Sequence, residues 1–266
     1  MIGRRLVTVA VLLPLLLVCL WLGSWAWLAL VAAIMAIAVS ELVALLGRSG
    51  LNATRTWAWA AAALALAPAA FSAHGFAPAG ALAAGPLFAL LLSFTAFLLA
   101  PGDRPYADFL AVVGAALYPA WLLAFLIVLR SGTDGLGTTF WLLAVVWVGD
   151  AAAFGGGKVI GGAHIVPGIS PGKTLGGFVA GLLVSLAAAV ALAPLVGLAR
   201  PTALALGLVV AVAAQFGDLV ESLLKRRAGV KDSGAILPGH GGMLDRFDGV
   251  LVAAPVLYYC LTLLRP

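Results

Sequence analysis

The side chains best suited to handling phosphate and a divalent cation gather between residues 215 and 248. In "QFGDLVESLLKRR" (215–227), Asp218, Ser222 and Lys225 fall at i, i+4 and i+7 of a helix, with Gln215 and Glu221 three residues to either side of Asp218. All five then share one face. Leu219, Val220, Leu223 and Leu224 form the other face, suited to lipid or to neighbouring helices. A helix end that pairs its acids with its own lysine would account for this pattern, but Asp218 lies within an apolar run. There a carboxylate is poorly solvated and needs a partner such as a divalent cation.

"LPGHGGMLDRFDG" (237–249) comes next. Its glycines and proline let the backbone turn tightly and approach a ligand, and the amides of such a loop can form an anion-binding concavity. Asp245 and Asp248 stand i, i+3 at the head of the last helix, where both can point the same way. Carboxylate oxygens are hard ligands, and Mg²⁺ at phosphate-handling sites is usually held by one or two of them together with substrate phosphates. With no Cys/His cluster, zinc is a poor fit. His240 suits either a ligand contact or a hydrogen bond to the loop backbone.

A third polar segment, "GDAAAFGGGKVIGGAHIVPGISPGKTLGG" (149–177), places Asp150 near the inner end of an apolar run. Beyond it lie Lys158 and the donors Ser170, Lys173 and Thr174, suited to phosphate oxygens. "GKT" resembles a P-loop ending, but the first glycine of G-x-x-x-x-G-K-[ST] would fall on Pro167, and no strand is expected before it.

What must position these residues is a bundle of membrane helices. The 266 residues are 64% hydrophobic and 9% charged, against about a quarter charged for a soluble domain. The mean hydropathy is +1.16. About nine apolar runs approach spanning length: 5–22, 25–46, 57–73, 79–100, 108–129, 139–154, 177–198, 202–224 and 249–264. In lipid such continuous runs must be helices, because each backbone polar group has to be satisfied internally. The opening run reads as the first membrane helix rather than as a cleaved signal. Cys19 and Cys260 lie inside apolar runs and read as small hydrophobes.

The fold class is therefore all-α and polytopic. With the N-terminus inside, twelve of the fifteen Lys and Arg residues face the cytoplasm, and only Arg130, Arg200 and Arg265 face out. That asymmetry orients the chain with its C-terminus outside, and explains the net charge of +5 without nucleic acid. Residues 1–105 hold four spans with few polar groups, among them Glu41 near the cytoplasmic end of the second. Residues 106–266 carry the polar segments: six of the chain's ten acids lie at or after Asp150 (Asp150, Asp218, Glu221, Asp232, Asp245 and Asp248), all toward the cytoplasmic side, as one site would require. "WAWAAAALALAPAA" (57–70) is Ala-rich and would pack through small residues. No internal repeat supports a transporter of inverted halves.

"SLLKRRAGVKDSGAILPGHGGMLDRFD" (222–248) closely resembles the signature of the phosphatidate cytidylyltransferases, S-x-x-K-R-x4-K-D-x4-[LI]-P-G-H-G-G-x-x-D-R-x-D. Ser222, Lys225, Arg226, Lys231, Asp232, Pro238, His240, Gly241, Gly242, Asp245, Arg246 and Asp248 occupy its fixed positions. The likeness extends upstream through "QFGDLVES", "ISPGKT" and the Asp150 region. One departure stands out, since Gly176 sits where the family carries a glutamate after the S-P-x-K-T element.

The resemblance implies that CTP and phosphatidic acid are converted to CDP-diacylglycerol and pyrophosphate at the inner membrane, by a homodimer that depends on Mg²⁺; a second cation stays open. It implies Asp218 and Asp245 as metal ligands, with Asp248 supporting them and Lys225 in the catalytic set. Lys173, Arg226 and Arg246 would hold phosphates beside Lys225. Ser170, Thr174, Ser222, Lys231, His240, Gly241 and Gly242 would line the substrates. A CTP-dependent transferase or kinase acting on another lipid is the alternative.

Overall fold

The computed structural model describes residues 2–51, 54–99, 105–237, 239 and 241–264. The expectations for His240, Pro238, Arg104 and Arg265 fall outside them. The described chain forms ten α-helices and one short hairpin, grouped into two compact units. One unit comprises Met1–Ser131 and Leu224–Phe247, the other Gly132–Leu223 and Asp248–Pro266.

The first unit holds α1 (Ile2–Leu22), α2 (Ser24–Arg48), α3 (Arg55–Ala73), α4 (Ala84–Leu99), α5 (Pro105–Ala115) and α6 (Leu122–Ser131). On α2 the buried residues Trp27, Val31, Ile34, Ala38, Leu42 and Leu45 recur every three or four positions, a stripe set by the helical period. Trp27 keeps its indole N–H satisfied by donating to the Leu126 carbonyl at 2.9 Å. The expectation that α3 packs through small residues holds: Ala58, Ala61, Ala62, Ala65 and Ala69 are all 0% exposed. A Cβ on Gly85 of α4 would run into the Ala65 carbonyl.

Helices α5 and α6 form one apolar stretch, Pro105–Ser131, joined through a π-helical segment at Ala116–Trp121 that contains Pro119. The wider turn accommodates a residue that lacks an N–H. Arg130, expected on the outer side, donates to the carbonyls of Leu20 at 2.7 Å and Trp21 at 3.2 Å. It thereby caps the end of α1 where the helix dipole favours a cation.

The second unit holds α7 (Gly135–Val159), β1 (His164–Val166), β2 (Ser170–Thr174), α8 (Leu175–Ala191), most of α9 (Arg200–Arg227) and most of α10 (Leu244–Leu264). The buried residues of α8 are Gly177, Gly181, Ser185 and Ala189, one every fourth position. They fit α7 closely: a Cβ on Gly181 would come within 2.9 Å of the Ala153 Cβ, and one on Gly149 would run into the Ser185 hydroxyl. Ser185 donates to the Val145 carbonyl at 2.9 Å, and Trp141 to the Ala189 carbonyl at 2.9 Å. Small residues at fourfold spacing let two backbones approach where lipid offers no hydrophobic gain. Likewise, a Cβ on Gly217 of α9 would meet the Asp248 carbonyl of α10.

Among the described residues, seven helical stretches are long and apolar enough to cross a membrane, against about nine runs expected. The runs at 5–22 and 177–198 correspond to shorter apolar stretches, Ala10–Leu22 within α1 and Leu175–Ala191. The second ends early because Pro194 enters a 3₁₀ turn closed by Gly197 at φ 60°. The expectation that no strand lies near "GKT" also needs correction. β1 and β2 pair antiparallel there, with His164 opposite Thr174 and Val166 opposite Ser170, so a strand does precede α8. The P-loop reading still fails on spacing, and Gly172, Lys173 and Thr174 lie within the strand itself rather than in a loop after it.

Candidate active site

Two clusters of polar side chains form, one in each unit. In the second unit, Lys173 on β2 meets Asp218 of α9, Nζ to Oδ2 at 2.7 Å. The Ser222 hydroxyl donates to the other carboxylate oxygen at 3.3 Å, one turn along α9 as the i, i+4 spacing requires. The Asp218 side chain is 36% exposed and that of Lys173 25%, so ligands can reach both. Gln215 is half-buried on this helix, whereas Glu221, expected beside Asp218 on the polar face, is 0% exposed. It lies with Gly217 and Ser222 among the buried residues of α9.

Thr174 closes β2 and caps α8, its hydroxyl oxygen accepting from the Gly177 amide at 3.3 Å. Ser170, half-buried, opens the same strand. Asp248 is buried, and its Oδ1 accepts from the Gly249 amide at 2.7 Å. Asp150 is half-buried within α7, and Lys158 stands 4.0 Å over the Phe154 ring.

In the first unit, Lys225 Nζ donates to Asp245 Oδ1 at 2.6 Å across twenty residues of chain. Asp245 Oδ2 accepts from the Ser233 amide at 2.9 Å, the Ser233 hydroxyl at 2.9 Å and the Gly242 amide at 2.7 Å. One carboxylate, its side chain 4% exposed, thus organises the whole signature turn. The turn is pinned by the Leu237 amide bonding the Gly241 carbonyl at 3.0 Å. Gly241 adopts φ 79°, and a Cβ there would also meet Asp245 Oδ2 at 2.6 Å. Only glycine meets both demands. The amides of Gly242, Met243 and Leu244, which the glycine-rich sequence offered to an anion, are already turned onto carboxylates of the protein. Arg226, Lys231 and Arg246 are exposed, as cations that receive phosphate from water or lipid would be.

Sequence reasoning noted Glu41 without giving it a place in the site, and missed Ser233. Glu41 on α2 accepts from the Met243 amide at 3.0 Å, the Leu244 amide at 2.8 Å and the Ser233 hydroxyl at 3.2 Å. The one available signal was an acid in an otherwise apolar helix; nothing local could identify its partner some 200 residues away.

Gly176 follows Thr174 in the first turn of α8. A Cβ there would lie 2.6 Å from the Gly161 carbonyl and 2.7–2.8 Å from Ile160, and the Gly176 amide bonds that same carbonyl at 2.9 Å. This chain has closed the space that a glutamate would need. Gly176→Glu is therefore expected to destabilise the protein by about 1–3 kcal/mol, the usual cost of overpacking. Thermal unfolding in detergent checks this; an unchanged midpoint would show that the Ile160–Gly161 turn yields freely.

Among the described residues no three His, Cys, Asp or Glu side chains converge as a metal-ligand set. One or two carboxylates with substrate phosphates suffice for Mg²⁺, and the donors present suit that arrangement. Asp218 is accessible, and Asp245 Oδ1 takes a single donor where Oδ2 takes three.

Residues 3–264 match the model of a family described as the cytidylyltransferase family. The chain is 39% identical over 180 residues to a phosphatidate cytidylyltransferase of Bacillus subtilis (strain 168), covering 66% of this chain and 67% of that one. It is 41% identical over 150 residues to a protein of the same name from Brucella suis biovar 1 (strain 1330), covering 54% of each. A third of that name, from Staphylococcus aureus (strain COL), is 41% identical over 137 residues, covering 51% of this chain and 53% of that one. Against the last two, the matched stretch spans about half the relative's length.

Proposed function

This chain belongs to the cytidylyltransferase family, and from that premise we propose that it is a phosphatidate cytidylyltransferase. It joins CTP to phosphatidic acid, giving CDP-diacylglycerol and pyrophosphate for phospholipid synthesis. The observation that carries this reading is the contact of Lys225 with Asp245 at 2.6 Å. Two signature residues far apart in the chain are drawn into one buried network, as a site for polyanionic substrates needs.

A phosphatidate oxygen attacks the α-phosphorus of CTP; the new P–O bond forms as the bond to the β-phosphate breaks, and its electron pair leaves on pyrophosphate. The second phosphate pKa is about 6, so the nucleophile is already charged near neutral pH and needs no general base. Catalysis then consists of positioning and charge neutralisation. Lys173 and Lys225, each held by an aspartate, are aimed cations for substrate phosphates. Arg226, Arg246 and Lys231 add exposed cations in the first unit, and Ser170 adds a hydroxyl in the second. By resemblance, Asp218 and Asp245 are each proposed as Mg²⁺ ligands, with Asp248 in support; such an ion would neutralise charge on the triphosphate and on the leaving pyrophosphate.

The multi-pass helices place the enzyme in a membrane. The lysine and arginine asymmetry supports the inner membrane with the N-terminus and both clusters on the cytoplasmic side, where CTP arrives from water and the lipid from the leaflet. A homodimer fits the family.

Pyrophosphate release by the purified protein in detergent–lipid micelles tests the reading. Release is expected with CTP, Mg²⁺ and phosphatidic acid together and to vanish on chelation. ATP replacing CTP, or diacylglycerol replacing phosphatidic acid, is expected to give none. Turnover with another lipid acceptor but not with phosphatidic acid would overturn the assignment.

A further inference from the structure

Glu41 is the one acid buried within the apolar stripe of α2, 8% exposed among Ala38, Val39, Leu42 and Leu45. A carboxylate in that setting is costly unless it is hydrogen-bonded. All three of its bonds go to the signature turn: the amides of Met243 and Leu244 and the hydroxyl of Ser233. Those amides open α10, where no intrahelical acceptor exists, and the helix dipole there favours a negative group.

The Ser233 hydroxyl lies within reach of Glu41 Oε2 at 3.2 Å and Asp245 Oδ2 at 2.9 Å. Its single proton can serve only one of them at a time, so the two carboxylates are coupled through it. Glycine is required on both flanks. A Cβ on Gly234 would run into Glu41 Oε1. One on Gly242 would run into the Ser233 hydroxyl and lie 2.6 Å from both Glu41 oxygens. A packing role alone would be met better by leucine.

We propose that Glu41 is a positioning residue for the reaction, in that it anchors the 242–244 turn to α2 and so fixes the direction in which Asp245 presents Oδ1 and Lys225. The kinetic consequence rests on the cytidylyl-transfer reading; the structural consequence rests on geometry alone.

Glu41→Leu and Glu41→Gln separate the possibilities, since leucine fills the space without accepting a bond and glutamine keeps one carbonyl acceptor. Two quantities are read for each, normalised to folded protein: kcat/KM for CTP, and hydrogen exchange of peptides covering 237–246. Glu41→Leu is expected to speed exchange at Met243 and Leu244 at least tenfold. It is expected to lower kcat/KM at least thirtyfold, with Glu41→Gln intermediate in both. Exchange at 243–244 unchanged in Glu41→Leu, or kcat/KM within threefold of the parent, would overturn the proposal. Should the parent itself fail to turn over CTP and phosphatidic acid, the function reading falls, and the exchange experiment alone decides whether Glu41 anchors the turn.

Discussion

Asp218→Ala is expected to lower kcat for cytidylyl transfer by at least about 10²–10³, the range seen when a group that stabilises transition-state charge is removed, while the fold barely notices. Both partners of the Lys173–Asp218 pair are substantially exposed, and ion pairs of that kind contribute about 0–1 kcal/mol. The bond from Ser222 is long at 3.3 Å and adds little. For a chain of this size a 1 kcal/mol change moves the melting temperature by about 2–4 °C, so the variant should unfold within that range of the parent. Pyrophosphate release and thermal unfolding, measured on one preparation, check both halves. Substantial residual turnover would remove Asp218 from the ligand set. A large drop in melting temperature would recast it as structural.

Asp245→Ala should behave differently, losing activity and stability together. Its carboxylate accepts four bonds: from Lys225, from the amide and hydroxyl of Ser233, and from the Gly242 amide. Truncation leaves two backbone amides and a lysine deprived of this buried acceptor. Breaking a buried pair by removing one partner costs about 3–5 kcal/mol, here a fall of about 10 °C in melting temperature. Asp245→Asn keeps the shape and one carbonyl acceptor, so it should recover much of the stability while remaining inactive, because the charge facing Lys225 is gone. An alanine variant as stable as the parent would mean that water replaces the carboxylate, and that the turn is less dependent on Asp245 than its four bonds imply.

The contrast between these aspartates was invisible in the sequence, where they read as equivalent metal ligands. One lies between a strand and a helix, open to ligands; the other lies beneath a turn and holds it. The same limit applies to Gly176. As a residue it reads as a missing glutamate, but its contacts with Ile160 and Gly161 make it a closely fitted position.

What the sequence determined by itself was whatever depends on neighbours within a few residues or on totals over the chain. Apolar runs of spanning length dictated helices, because lipid leaves the backbone no other partner. The i, i+4 spacing placed Ser222 under Asp218, and the 222–248 pattern was dense enough in polar positions to indicate the chemistry. Tertiary structure alone decided which groups meet across distance: Lys173 with Asp218, Lys225 with Asp245, and Glu41 with amides some 200 residues on. It also set the pairing of β1 with β2. Helical periodicity is a property of local backbone geometry and repeats wherever the chain is helical. A long-range contact depends on how close two backbones can come, and here that is set by glycines and alanines whose missing side chains carry no label of what will occupy the space.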